Sequence, residues 1–410
     1  MSPDQESLPA AASPEHSAPE GVVLLKRSGV RRLSTGHPWI YPDHIDGGEA
    51  EDGAVVRLEG PAGTPRGTAV LNSESRLPLR VLSRDASWKG GENFWEQRLD
   101  QAIALRTDTL APGAEACRWV HAEADGLPGL VVDRLGSVAV LQAGCLWADS
   151  VSADVAQRLV ERHGMSGVLA RNDGAFRRPE GLPEGVQLLA GEVPESLQVR
   201  CGELIRQVDP WRGQKTGLYL DQRENHVWAA QVLPVGECLD AFCNDGPFAL
   251  HLAAAGSNVL ALDSSAPALS QAHANAELNG LSDKLTTEKV NVFTGMRDMV
   301  SAGRRFDGIV LDPPALAKKK NQIPSALRAY KELALRGVRL LSDGGRMIVC
   351  SCSYHVSPQE FLGALRDAAA DARRDVDVLE VRGAARCHPA RITFPESAYL
   401  KVVLLQARNS

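Results

Sequence analysis

From about residue 236 the chain repeats one arrangement of apolar and polar positions. Strand-like segments (ECLDAF, NVLALD, TTEKVNV, FDGIVLDPP, RMIVCSCS) each precede a segment whose apolar residues recur at helical spacing (PFALHLAAAG, SAPALSQAHANAELNG, FTGMRDMVSAG, a long stretch through YKELALRGVRLL, FLGALRDAAADARR). VDVLEVR and YLKVVLLQA close the series as two further strands. Strands covered by helices on both faces carry near-continuous apolar runs, so the alternation predicts an α/β unit with a doubly wound, Rossmann-like parallel sheet. Ligands of such sheets bind beyond the carboxyl ends of the strands, which makes the strand-ending residues the candidates for chemistry.

The earlier part follows other patterns. Over 21–93 the apolar runs are short and separated by turn residues (VVLL, GHPWIYP, AVVRL, PAGTPRGTAVL, LPLRVL), which predicts a small β-rich domain. FWEQRLDQAIALRTDT (94–109) has helical spacing and predicts a connecting helix. It opens a central α+β domain, 94–208, with strands at LVVDRL, VAVLQAG and GVLA and a helix over 150–163. The α/β domain is assigned to 209–410. Residues 1–20 hold four prolines and almost no large apolar side chains, so they are expected to be disordered.

Composition adds limits. At 44% hydrophobic and 23% charged, a chain of 410 residues is an ordinary globular protein of two or three domains, not a disordered one. No stretch approaches the roughly 18 apolar residues of a membrane span, and the start lacks a basic-then-apolar leader, so no membrane partner and a cytoplasmic location are expected. Eight cysteines without CxxC spacing suggest reduced thiols rather than a disulfide framework or zinc site, and no metal is expected. Of the net charge of −6, the acids Asp4, Glu6, Glu15 and Glu20 supply −4 and the rest of the chain −2. Residues 21–42 carry Lys26, Arg27, Arg31 and Arg32 and no acid, which is either a basic patch for nucleic acid or a solvated face.

The first strand of the α/β unit ends in Asp240-Ala241-Phe242-Cys243-Asn244-Asp245-Gly246, and the second ends in Asp263. An acid at that second position can accept both ribose hydroxyls of an adenosine cofactor. The loop has one glycine followed by Pro247 instead of GxGxxG, so with no pyrophosphate to cradle, S-adenosylmethionine fits better than NAD. The fourth strand ends in Asp312-Pro313-Pro314; proline cannot continue the ladder, so it ends the strand and aims the acid into the cleft. The fifth ends in Cys350-Ser351-Cys352-Ser353, with both cysteines on one face and Cys352 nearer the rim. Carbon 5 of a pyrimidine becomes nucleophilic only after a thiolate adds at carbon 6, and Cys352 with Asp312 as acid partner supplies that pair. A buried small hydrophobe is the alternative reading of Cys352. Upstream, Lys215 lies on a flexible loop suited to a phosphate or carboxylate, and Asp221 with Glu224 reads as a capping box. The run beginning at Lys318 is either a solvated loop or a grip on RNA phosphates.

With these residues on view, the chain resembles the bacterial family of S-adenosylmethionine-dependent large-subunit ribosomal RNA methyltransferases that make 5-methylcytosine. The resemblance covers nearly everything after the first twenty residues. GHPWIYPDHI (36–45), which includes His37, resembles the start of a PUA-type RNA-binding module; HAEADGLPGLVVDRLG and ARNDGAFRRPEGL resemble the family's central domain. GQKTGLYLDQREN, LDAFCNDGPFAL, NAELNG, LDPP, SCSYH and HPA…FPES.YLK resemble its class I methyltransferase domain. The resemblance implies Cys352 as nucleophile and Asp312 as its acid. It implies cofactor contacts from Asp240, Phe242, Asn244, Gly246, Asp263, Asp312 and Pro313, and substrate or RNA contacts from Gln214, Lys215 and Arg223, with His37, Lys318 and the basic residues of 21–42. Two positions depart from the family's pattern. Pro247 stands where many relatives have a second glycine, and Asn291 stands where an acid commonly receives the adenine amino group, which an amide oxygen can still do.

The expectation is therefore an enzyme that transfers a methyl group from S-adenosylmethionine to C5 of a cytosine in 23S ribosomal RNA, through a cysteine adduct at C6. Amino-directed purine methylation, which needs no cysteine, and a non-catalytic RNA-binding assembly protein are the alternatives. A homodimer is compatible with the sequence.

Overall fold

The computed structural model describes residues 19–88, 94–109, 115–213 and 216–408. Most of the segment expected to be disordered, up to residue 18, lies outside that range, as do Gln214 and Lys215.

The N-terminal strands Gly21–Leu25, Trp39–Ile40, Ile45–Glu49, Val55–Gly60, Thr64–Leu71 and Leu79–Ser83 form one six-stranded sheet. Its inward side chains, among them Val23, Leu25, Ile40, Val56, Leu58 and Leu79, make a separate small core. A helix, Arg27–Ser34, interrupts the strands. Apolar spacing hardly signals it, because Leu33 and the partly buried Val30 are its only large apolar residues. Gly29 lets it close on the following turn: a Cβ there would stand 2.6 Å from the His44 carbonyl oxygen.

The connecting helix spans Phe94–Thr109 as its periodicity predicts. It packs on a five-stranded sheet made of Ala116–His121, Leu130–Leu135, Val138–Ala143, Gly167–Arg171 and Val186–Gly191. The helix expected over 150–163 spans Ser152–His163 and is preceded by a short one, Leu146–Ser150. Arg106 is buried, pairs with both oxygens of Asp125 at 2.8 and 2.7 Å, and donates to the Cys387 carbonyl at 3.1 Å, which ties this region to the C-terminal one.

The C-terminal sheet contains seven strands: β1 (Glu237–Ala241), β2 (Asn258–Asp263), β3 (Leu285–Lys289), β4 (Phe306–Leu311), β5 (Leu341–Ser351), β6 (Val376–Arg382) and β7 (Lys401–Ala407). Their order is β3-β2-β1-β4-β5-β7-β6; β1 to β5 are parallel, and β7 runs antiparallel to both neighbours. Helices α1 (Arg223–Val232), α2 (Pro247–Ala254), α3 (Ala266–Leu278), α4 (Val292–Ser301), α5 (Ile323–Leu340) and α6 (Pro358–Ala372) cover its faces. Successive strand residues enter opposite cores. Ile309, Leu311, Met347 and Val349 pack with Tyr330 of α5 and Phe361 of α6, while Val310, Ile348 and Cys350 pack with Phe248 and Leu250 of α2. Burial on both faces explains the near-continuous apolar strands. Strand β5 ends at Ser351, so Cys352 and Ser353 lie beyond it on the rim, not within the strand. Among the described residues, no helix is long and apolar enough to cross a membrane.

Candidate active site

The loop after β1 is bent by backbone that L-residues rarely adopt. Phe242 and Asn244 have φ of 67° and 50°, and Gly246 has φ of 82°. For a residue such as Phe242 this costs roughly 1–2 kcal/mol. The bend is held by the amides of Phe242 and Cys243, which both donate to the Leu262 carbonyl at 2.9 and 3.0 Å. It brings the Asn244 amide to Asp263 Oδ2 at 3.0 Å, while the Ser265 amide donates to Asp263 Oδ1 at 2.8 Å. Each carboxylate oxygen thus has one fixed donor and a remaining lone pair for a ligand diol.

A cavity of about 300 Å³ opens above the carboxyl ends of β1, β2, β4 and β5. Phe242, Asn244, Asp263, Asp312, Pro313 and Cys352 all line it, so these sequence candidates are brought together. The size lies at the lower end of small-molecule sites.

Three other cofactor candidates stand elsewhere. Asp240 is fully buried beneath the loop and accepts the Ala249 amide at 2.9 Å, pinning α2 to β1. Burial pushes its carboxyl up to about 8, against the opposing effect of that hydrogen bond and with a smaller contribution from Asp312 and Asp263. Such a group is protonated at neutral pH and supports the floor without reaching the cavity. Gly246 is the N-cap of α2, where a Cβ would come within 3.1 Å of the Ala272 Cβ; Pro247 follows as first helical residue, a position that needs no N–H. Asn291 is exposed and uses its side-chain oxygen to cap α4 from the Thr294 amide at 3.3 Å.

Cys352 Sγ lies 3.9 Å from the Pro313 carbonyl oxygen, so the thiol and the Asp312-Pro313-Pro314 segment share one wall. Cys350 is fully buried, and burial pushes its thiol well above the ordinary range, which leaves it inert. Lys401 is buried under the turn after Cys352, with Nζ donating to the carbonyls of Ser353 at 2.7 Å and Val356 at 3.0 Å. Burial lowers its ammonium to about 8, partly offset by the Cys352 side chain.

The expected capping box at Asp221 does not form. Helix α1 begins at Arg223 with Gln222 as its N-cap and no side-chain cap. Asp221 instead accepts the Tyr399 hydroxyl at 2.7 Å, and Glu224 pairs with Arg386 at 3.4 Å. Tyr219, Asp221 and Gln222 line the cavity. Spacing alone concealed this, because an acid three residues before Glu224 has the signature of a helix start.

The RNA candidates divide. Lys26, Arg27 and Arg31 are exposed on or beside the Arg27–Ser34 helix, and Lys318 is exposed on the loop after β4. Arg32 turns inward, donating to the Trp39 carbonyl at 2.7 Å and approaching His37 Nε2 at 2.8 Å. His37 is a correction: it is buried, 3.2 Å from Glu396 and edge-on to Phe394, at a junction between the first sheet and the C-terminal region. Burial lowers its pKa, partly offset by Glu396. Arg223 lines a second cleft of about 380 Å³, with Arg206, Arg382 and Arg386, that shares Tyr219 and His226 with the first.

Residues 23–84 match the PUA-like domain family, and residues 176–384 match the S-adenosylmethionine-dependent methyltransferase family. The chain is 34% identical over 386 residues to Ribosomal RNA large subunit methyltransferase I of Shewanella frigidimarina, covering 92% of this chain and 97% of that protein. It is 33% identical over 386 residues, with the same coverage, to the protein of that name from Aliivibrio fischeri. Two solved structures share the fold at 18% identity, each covering 94% of this chain and 99% of theirs. One was solved in complex with S-adenosylhomocysteine, TM-score 0.82; the other is from Streptococcus mutans, TM-score 0.80.

Proposed function

The chain belongs to the family of S-adenosylmethionine-dependent ribosomal RNA large subunit methyltransferases, and from that membership we propose that it methylates carbon 5 of a cytosine in 23S ribosomal RNA through a covalent adduct between Cys352 and carbon 6. The observation that carries this reading is the shared cavity wall of Cys352 and Asp312, with Cys352 Sγ 3.9 Å from the Pro313 carbonyl. A nucleophile and an acid on neighbouring strand ends are what addition across the C5–C6 bond requires.

S-adenosylmethionine, when bound, would supply an electrophilic methyl group, its sulfur–methyl bond breaking to leave S-adenosylhomocysteine. The Cys352 thiolate forms a bond to carbon 6 and drives the C5–C6 electron pair onto carbon 5, which takes the methyl group. Asp312 protonates or hydrogen-bonds ring N3 as charge develops there. Loss of the C5 proton to a base, for which a bound water suffices, expels the thiolate and restores the ring. The target base must leave its stack to enter the cavity. Asp263 holds the ribose hydroxyls, with Phe242, Asn244 and Pro313 as walls. The PUA-like domain holds the RNA through Lys26, Arg27 and Arg31, assisted by Lys318 near the cleft. Gln214 and Lys215 keep the substrate role implied by the resemblance, and Arg223 acts in the adjoining cleft.

The test is methyl transfer from labelled S-adenosylmethionine to large-subunit ribosomal RNA from a strain lacking this protein, with the product nucleoside identified by mass spectrometry. Labelled 5-methylcytidine supports the reading. Asp312 and Pro313 in the cavity wall also favour a second one, amino-directed methylation of a purine; a labelled methylpurine would establish that instead.

A further inference from the structure

A buried cation stands behind the proposed nucleophile. Lys401 is 5% exposed, and its ammonium makes no ion pair with a carboxylate among the described residues. It is the first residue of β7 and lies opposite Ser351, the last residue of β5, in the antiparallel ladder. From there Nζ passes the strand end and donates to the carbonyls of Ser353 at 2.7 Å and Val356 at 3.0 Å. The Val356 amide closes the same turn on the Ser353 carbonyl at 3.1 Å. Lys401 thus ties down the turn that begins at Cys352. Two neutral carbonyls return less than an ammonium loses on leaving water, and a neutral donor would satisfy them as well. The positive charge therefore needs another reason.

The cavity in front of it supplies one. Addition to carbon 6 requires Cys352 as a thiolate. Yet the described residues that line the cavity with Cys352 include the carboxylates of Asp221, Asp263 and Asp312 and no Lys or Arg. His226 lines it too, and burial lowers its pKa well below the ordinary range, so it is neutral. Tyr219, Tyr330, Tyr399 and Cys350 also lie in the field of the Cys352 sulfur, and burial raises each of them, which keeps them uncharged at neutral pH. A thiolate facing carboxylates and neutral groups is disfavoured unless a cation stands near. The charge that acts on Lys401 is that of Cys352, and the attraction is mutual.

We propose that Lys401 is a positioning residue for the nucleophile: it fixes the turn after Cys352, and its ammonium is the counter-charge that keeps the Cys352 sulfur as a thiolate. The thiol proton leaves to water before addition, and Lys401 stays an ammonium throughout. The sulfur then forms its bond to carbon 6 and takes the electron pair back when that bond breaks. This rests on the reading of Cys352 as the nucleophile.

Alkylation of the full chain with iodoacetamide over a range of pH, with mass spectrometry of the Cys352 peptide, reads the thiolate fraction directly. The unaltered chain should show a midpoint below the ordinary thiol value of about 8.5. Lys401→Met and Lys401→Gln, the second of which keeps a neutral donor for the two carbonyls, should each raise the midpoint by about one pH unit and slow labelling near pH 7 by up to about tenfold. The plateau at high pH should not change. Lys401→Arg, which keeps the charge, should stay close to the unaltered chain. In both neutral variants kcat should fall by up to about tenfold near neutral pH and recover as pH rises. A midpoint that does not move, with activity lost equally at every pH, would reduce Lys401 to holding the turn and overturn the proposal. A midpoint at or above the ordinary thiol value in the unaltered chain overturns it without any variant, should Lys401→Met and Lys401→Gln fail to fold. Methylation by Cys352→Ala would instead contradict the nucleophile itself, while the alkylation midpoints still report the coupling.

Discussion

The Ser353 hydroxyl accepts the Leu316 amide at 3.0 Å, joining the loop that follows Cys352 to the loop that follows Asp312. The Ala317 amide reaches the same oxygen at 3.1 Å, and the Tyr330 hydroxyl lies 2.8 Å from it. One side chain thus fixes the spacing between the proposed nucleophile and its acid. Ser353→Ala leaves these donors without their acceptor, at about 1–3 kcal/mol of stability. It should lower kcat about tenfold or more while S-adenosylhomocysteine affinity stays within about twofold, because only the alignment of the reacting groups changes. Denaturant unfolding, single-turnover kinetics and titration check the three parts.

Asp240 gives the fold a pH dependence of known sign. Its folded-state pKa is raised to about 8 by burial, while an unfolded carboxylate titrates near 4. The stability this group contributes is complete below the unfolded value and is lost as pH rises through the folded one. Asp240→Asn, which resembles the protonated acid, should flatten the decline in melting temperature between about pH 4 and 8. An unchanged slope would show that Asp240 is ionised in the folded protein.

Asp263 holds the amides of Asn244 and Ser265 and faces the cavity. Asp263→Ala should weaken S-adenosylhomocysteine and methylthioadenosine alike, by about tenfold to a hundredfold. Calorimetric titration with each nucleoside reads both losses.

Arg27 and Arg31 are exposed on one short helix, whereas His37 is enclosed behind it. Reversing both arginines to Glu should weaken RNA binding about tenfold or more and reduce its salt dependence. Cofactor affinity should not move. His37→Ala should instead lower the melting temperature, through loss of its contacts with Glu396, Arg32 and Phe394. Filter binding at two salt concentrations and thermal melts separate the two effects.

The parts of this protein legible in the sequence are those set by one local pattern. FWEQRLDQAIALRTDT forms the helix its spacing demands, and the central strands of the C-terminal sheet announce themselves because both faces are buried. Strand-end position alone brings Asp263, Asp312 and Cys352 to one cavity. What stayed hidden depends on depth or distant partners. Asp240 has the position of a cofactor acid, yet the left-handed turn at Phe242 lifts the loop over it. His37 meets Glu396 and Asp221 meets Tyr399, pairs far apart in the chain that no window of spacing reveals. The Arg27–Ser34 helix is short and polar, so basic charge was visible there while its secondary structure was not.

The central claim is that Cys352 adds to carbon 6 of a cytosine. Large-subunit RNA containing 5-fluorocytidine can accept the thiolate and the methyl group but cannot lose a C5 proton, so an adduct persists. Intact mass measurement after incubation with S-adenosylmethionine should find a protein–RNA adduct for the unaltered chain and for Cys350→Ala, and none for Cys352→Ala. An adduct that survives Cys352→Ala, or methylation of cytidine-containing RNA by that variant, would contradict the account.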